Sequence, residues 1–162
     1  MSAKDEFLKK SSENKEAQIS NQERVKRDIQ EFRSRVDNLA TQISQWVDGT
    51  GIQVITGQKR LNDETVSFAL GSGANASYEV TTIQLKNNAK SATITPEWLY
   101  GLGHKGNVDF VVTTPNSIPR QMKFSLCMGP DEGWIISGEG QRKSEGETLT
   151  EETFFQAIQK LA

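Results

Sequence analysis

From Val25 onward the chain alternates between two hydrophobic periods. Val25, Ile29, Phe32, Val36, Leu39, Ile43 and Trp46 follow one another at spacings of 4, 3, 4, 3, 4 and 3. That repeat places seven apolar side chains along one seam of a helix. Arg24, Lys26, Arg27, Asp28, Glu31, Arg33, Arg35 and Asp37 lie between them and suit a solvated face. Ser20 with Glu23 has the form of a capping box, and Asp48-Gly49-Thr50-Gly51 supplies a stop with Gly49 as the left-handed closing residue. These signals predict a helix over about residues 21–47, roughly 40 Å long. Residues 1–19 are polar, with Phe7 and Leu8 their one adjacent apolar pair. They read as a tail or a fraying extension of that helix.

After Gly51 the period drops to two. Strands are expected at 52–56, 65–70, 78–86, 89–95, 108–114, 122–128 and 134–137. Turn chemistry separates them: Asn62-Asp63, Gly71-Ser72-Gly73, Asn87-Asn88, Pro115-Asn116 and Gly129-Pro130-Asp131. Connections this short favour antiparallel neighbours. The alternation from Tyr78 to Lys86 is imperfect, as though the strand changes its buried face at a bulge. Gly138–Gly146 reads as a mobile polar loop. Thr150 then caps a short C-terminal helix over about 151–161, with Phe154, Phe155, Ile158 and Leu161 as its apolar stripe. The reading is one α+β domain over 20–162: a long amphipathic helix, an antiparallel meander of about six to seven strands over 52–137, and a short closing helix.

Composition changes this picture little. Of 162 residues, 35% are hydrophobic and 25% charged, which fits a single domain with a real core. A net charge of −2 provides no positive field for nucleic acid or anionic lipid. Cys127 is the one cysteine, which suits a reducing compartment. Met1–Glu6 carries acids early with no apolar stretch behind it, unlike a signal peptide, so a cytoplasmic location is expected. No segment has the run of apolar residues that a membrane span needs.

Signals for chemistry are sparse. Gly101–Gly106 spells G-x-G-x-x-G and Gly71–Ala76 spells the G-x-G-x-x-A variant. Dinucleotide binding needs such glycines between a strand and a helix N-terminus, whereas both runs precede an expected strand, so turns are the plainer reading. His104 is the single histidine and would act as a base only with a carboxylate such as Glu97 or Asp109 beside it. A nucleophile pair would require His104 and Cys127 to converge, which the sequence does not indicate. With two soft ligands in the chain, no zinc set is expected, and no cofactor motif is present.

Pro96–Gly103 is the densest aromatic stretch outside the helices. Thr95 as cap and Pro96 in the first position predict a short helical turn there. Trp98 and Tyr100 on that turn are candidates for partner contact.

The seam itself has two uses open to it: packing on the chain's own sheet, or pairing with a helix of another chain. Taken with the lack of catalytic groups, it leads to a noncatalytic protein-binding module. That module binds a protein partner or a second copy through Val25, Ile29, Phe32, Val36, Leu39, Ile43 and Trp46. In size, acidity and layout the chain resembles helix-plus-sheet interaction proteins of bacteria, such as secretion chaperones and toxin-immunity proteins, so a chaperone-, adaptor- or immunity-like role is expected; no specific motif carries the likeness. Two alternatives stand beside it. One is a binder of small apolar ligands with Phe68, Phe110, Phe124 and Trp134 around a cavity. The other is an enzyme built on the His104–Lys105 loop.

Overall fold

The computed structural model describes residues 2–70, 77–101 and 103–162. Helix α1 (Ala3–Trp46) is followed by β1 (Gln53–Asn62), α2 (Glu64–Leu70), β2 (Ser77–Asn87) and β3 (Lys90–Gly101). Then come β4 (His104–Thr113), β5 (Gln121–Met128), β6 (Trp134–Gly138), the two-residue β7 (Glu147–Thr148) and α3 (Glu151–Ala157). The seven strands form one sheet whose spatial order is the chain order, every neighbouring pair antiparallel. The expected α+β architecture is therefore the observed one.

Helix α1 is 44 residues long, far longer than the seam. Its cap is Ser2, not Ser20: the Asp5 N–H donates to Ser2 Oγ at 3.2 Å and the Ser2 N–H to Asp5 Oδ2 at 3.3 Å. Residues 3–19 are rich in Lys, Glu and Ala, strong helix formers. Asp5/Lys9 and Glu6/Lys10 also stand at the acid-before-base, i to i+4 spacing that supports a helix without tertiary packing. The seam ends at Val25, but the helix has no reason to end there.

Over its C-terminal half α1 lies on the sheet. Val25, Phe32, Val36, Leu39 and Ile43 are buried, and Ile29 and Trp46 pack against the same cluster. Opposite them are Ile83 and Leu85 of β2, Ala92 and Ile94 of β3, Val108, Phe110 and Val112 of β4, and Leu126 of β5. Helix α3, capped by Thr150, closes one end of this core with Phe154, Ala157 and the following Ile158 and Leu161. The Phe154 ring meets Trp46 at 5.3 Å and Phe110 at 6.0 Å between centroids. Gly106 sits where α1 crosses β4: its φ is +70°, and an added Cβ would lie 3.2 Å from Phe32 and 2.8 Å from Met128.

Three local expectations fail for identifiable reasons. Residues 65–70 form helix α2, not a strand. Asp63 caps it through Oδ1, which accepts from the Thr65 N–H at 3.0 Å. Val66, Phe68 and Leu70 imitate a period of two, yet Val66 is buried and Phe68 is 90% exposed. Pro96 starts no helical turn, because β3 runs through it and absorbs the irregularity as a register shift between Pro96 and Trp98. The switch of face in β2 needs no bulge, since its register with β1 is unbroken. Instead β2 pairs with β3 only from Ile83 to Asn87. Beyond that point the Leu99 and Tyr100 N–H groups of β3 donate to Asp63 Oδ2 (2.8 Å) and Thr65 Oγ1 (3.1 Å).

Phe32→Ala should cost about 3–5 kcal/mol of stability, because the ring is buried between helix and sheet. Urea denaturation compares it with Lys26→Ala on the exposed side, which should stay within about 0.5 kcal/mol of the parent.

Candidate functional site

The seam residues offered as partner contacts, Val25, Ile29, Phe32, Val36, Leu39, Ile43 and Trp46, all turn onto this chain's own sheet. Of the two uses open to the seam, the structure shows internal packing. A second chain reaches these side chains only if α1 undocks. The flanking charges are also less solvated than their pattern implies. Asp28 and Arg35, seven residues apart, are both buried beside the seam. Arg35 donates to the Gly129 carbonyl at 2.8 Å and to the Gly133 carbonyl, and its guanidinium lies 5.8 Å from the Trp134 ring centroid. It thereby ties α1 to the β5–β6 hairpin, in which Asp131 and Glu132 adopt positive φ.

Tyr100, the other kind of partner candidate, serves a similar tie. Its hydroxyl donates to Asp28 Oδ2 at 2.7 Å, and Lys105 Nζ stands 3.4 Å from the same oxygen. Burial, then the hydrogen bond to Asp28, pushes the Tyr100 phenol well above its usual range, so it stays a donor. Arg24, Asp28, Thr65, Phe68, Ala69, Tyr100 and Lys105 line a cavity of about 330 Å³ here. Trp98 is half-buried and stacks on His104, with 5.3 Å between ring centroids. That ring occupies the space a Cβ on Gly101 would fill. The G-x-G-x-x-G run therefore makes the β3–β4 turn, where Gly101 pairs with His104, and joins two antiparallel strands. The G-x-G-x-x-A run at 71–76 lies outside the described residues.

Two surfaces remain. The first is the N-terminal half of α1. From Ala3 to Ser20 every residue but Ser11 is exposed, including Phe7 (70%), Leu8 (54%) and Ile19 (56%). Leu8 and Ile19 are eleven residues apart, about three turns, and so share one face. Contact with the body starts at Asn21, whose Nδ2 donates to the Ala69 carbonyl at 2.5 Å.

The second lies on the sheet face turned away from α1. Strand alternation puts Asp109, Ser125 and Ser137 in one paired row there and Cys127 with Ile135 in the next. The 138–146 segment, expected as a mobile loop, folds back over this face. Its Glu139 N–H donates to the Lys123 carbonyl at 3.1 Å, and Lys143 Nζ to Asn107 Oδ1 at 3.1 Å. His104 and Cys127, which the sequence does not bring together, line one cavity of about 680 Å³ with Arg142, Lys143 and Ser144. Burial pushes the Cys127 thiol up, against a smaller downward pull from Lys143. Burial holds the Lys143 ammonium below its usual range, partly offset by Cys127 and Asp109. A thiol held protonated by burial is a poor nucleophile.

The aromatic set expected around an apolar cavity is dispersed. Phe110 and Trp134 are packed in the core and Phe68 is exposed. Phe124 lines a surface cavity of about 330 Å³ beside α3, and Phe68 lines the separate cavity at Tyr100. Among the described residues no group of three or more His, Cys, Asp or Glu is placed to hold a metal, and no helix is long and apolar enough to cross a membrane. No protein-family model, curated protein or solved structure matches this chain.

Tyr100→Phe should lower stability by about 1–3 kcal/mol, since it strips a donor from a buried carboxylate. Chemical denaturation measures it. Cys127 should react with a disulfide reagent far more slowly in the native chain than in urea at the same pH. A thiol pushed upward holds less thiolate at neutral pH, and burial blocks the approach.

Proposed function

We propose that this chain is a noncatalytic protein-binding module that meets its partner through the exposed N-terminal half of α1. The observation that carries this reading is the eighteen-residue stretch from Ala3 to Ser20, about 27 Å of helix with scarcely any cover from the body. Its one apolar face, Leu8 with Ile19 and flanked by Phe7, holds three of the large hydrophobic side chains exposed among the described residues. A polar helix needs none of these for its own stability. Their spacing suits an amphipathic helix of another chain, or the same arm of a second copy lying antiparallel, with Leu8 facing Ile19. Lys4 and Glu23 would then stand opposite each other. The balanced charges along the arm, Asp5, Glu6, Glu13 and Glu16 against Lys4, Lys9, Lys10 and Lys15, favour a partner of mixed charge over a polyanion. In this reading the body is the anchor that holds the arm, and the cytoplasm, where the unpaired Cys127 is stable, is where it works.

The test compares the full chain with the Leu8→Asp, Ile19→Asp double variant. Sedimentation velocity reads self-association, and quantitative capture from source-cell lysate reads a heterologous partner. The variant should lose association while its melting temperature is unchanged, because neither side chain packs on the body. Equal association of variant and parent by both measurements refutes the reading.

A further inference from the structure

We infer that the outer-face cavity beneath the 138–146 segment is a binding site for a small phosphate-type oxyanion. The lining carries three basic side chains, His104, Arg142 and Lys143, together with the Ser144 hydroxyl, and no carboxylate. The whole chain has a net charge of −2, so the concentration of Arg142 and Lys143 cations is local and not a reflection of composition. Two carboxylates lie near the cavity without lining it. Glu145 Oε2 accepts from the Arg142 backbone N–H at 3.4 Å, and Asp109 lies on the strand beneath Lys143.

The segment that supplies the cations is held in place before any ligand arrives. The Gly138 N–H donates to Gln141 Oε1 at 2.9 Å, and Gln141 Nε2 to the Glu145 carbonyl at 3.1 Å. Gln141 is thus spent on the shape of the loop, and Lys143 is oriented by Asn107. Binding at such a rim orders few further side chains, which lowers its entropic cost. The floor contributes no negative charge, since burial keeps the Cys127 thiol protonated. The Lys143 ammonium is partly desolvated and hydrogen-bonded to a neutral amide, so an incoming oxyanion adds a charge-assisted hydrogen bond to it. A volume of about 680 Å³ exceeds the needs of a single phosphate group, and leaves room for a small organic substituent on it.

The experiment is a titration of the full, ¹⁵N-labelled chain, followed by backbone amide shifts at fixed ionic strength. Inorganic phosphate and glycerol 3-phosphate are the two probes, with sodium acetate and chloride as controls. Saturable shifts should appear at residues 103–106, 127–129 and 138–146, and acetate and chloride should give none. Tighter binding of glycerol 3-phosphate assigns the site to a phosphorylated small molecule; equal binding assigns it to the free anion. Arg142→Gln and Lys143→Gln should each weaken binding about tenfold or more, the loss expected for one charge-assisted hydrogen bond. Arg142 is exposed, so its variant keeps the fold, which an unchanged melting temperature verifies. Shifts that never saturate, that scatter over the surface, or that survive both substitutions overturn the proposal.

Discussion

The junction of β1, α2, β2 and β3 depends on one buried carboxylate. Asp63 is 2% exposed and accepts from the Thr65 N–H and hydroxyl, the Tyr78 hydroxyl and the Leu99 N–H. Burying a carboxylate is costly unless its oxygens are fully engaged, and here donors from three elements engage them. The arrangement caps α2, ends the β1–β2 ribbon and replaces the β2 pairing that β3 loses beyond Ile94. It also holds Thr65 against Tyr100, whose hydroxyl continues to Asp28 on α1. A chain of polar contacts thus runs from the sheet to the helix alongside the apolar seam. The seam supplies most of the driving force, being non-directional, while the carboxylates set where the elements stop.

Much of this architecture was legible because it rests on period. The seam from Val25 to Trp46 and the alternating Val108, Phe110 and Val112 of β4 face one core, and their sequences repeat accordingly. What misled the reading was local imitation. Val66, Phe68 and Leu70 alternate like a strand, yet Asp63 captures the N–H groups of the following turn and makes a helix. Likewise, seven-residue spacing from Asp28 to Arg35 looks like an ordinary charged face. Only the positions of Tyr100, Gly129 and Gly133 show why both are buried.

The candidate sites were harder to read for a different reason. Phe7, Leu8 and Ile19 are unremarkable in a polar stretch until the helix is seen to continue through them. The basic cavity is assembled from the β3–β4 turn, the end of β5 and the 138–146 segment, so no spacing along the chain announces it. Glycine patterns drew attention to Gly101–Gly106, and the structure gives Gly101 and Gly106 a packing role around Trp98 and Phe32. The arm and the cavity belong to different layers of the molecule, one to α1 and one to the sheet face turned away from it.

The meander has a bearing on synthesis. Every strand pairs with its successor, so the sheet can be laid down hairpin by hairpin with modest loop-closure cost. Helix α1 is different, because it precedes all the strands that cover it. A ribosome adding about 5–20 residues each second must make some 80 more, through β5, before Phe32 and Leu39 have their full floor. For several seconds the nascent chain therefore presents a capped helix with an uncovered apolar seam. That interval is when the apolar seam is most open to holding chaperones, and to premature pairing with a neighbouring nascent copy.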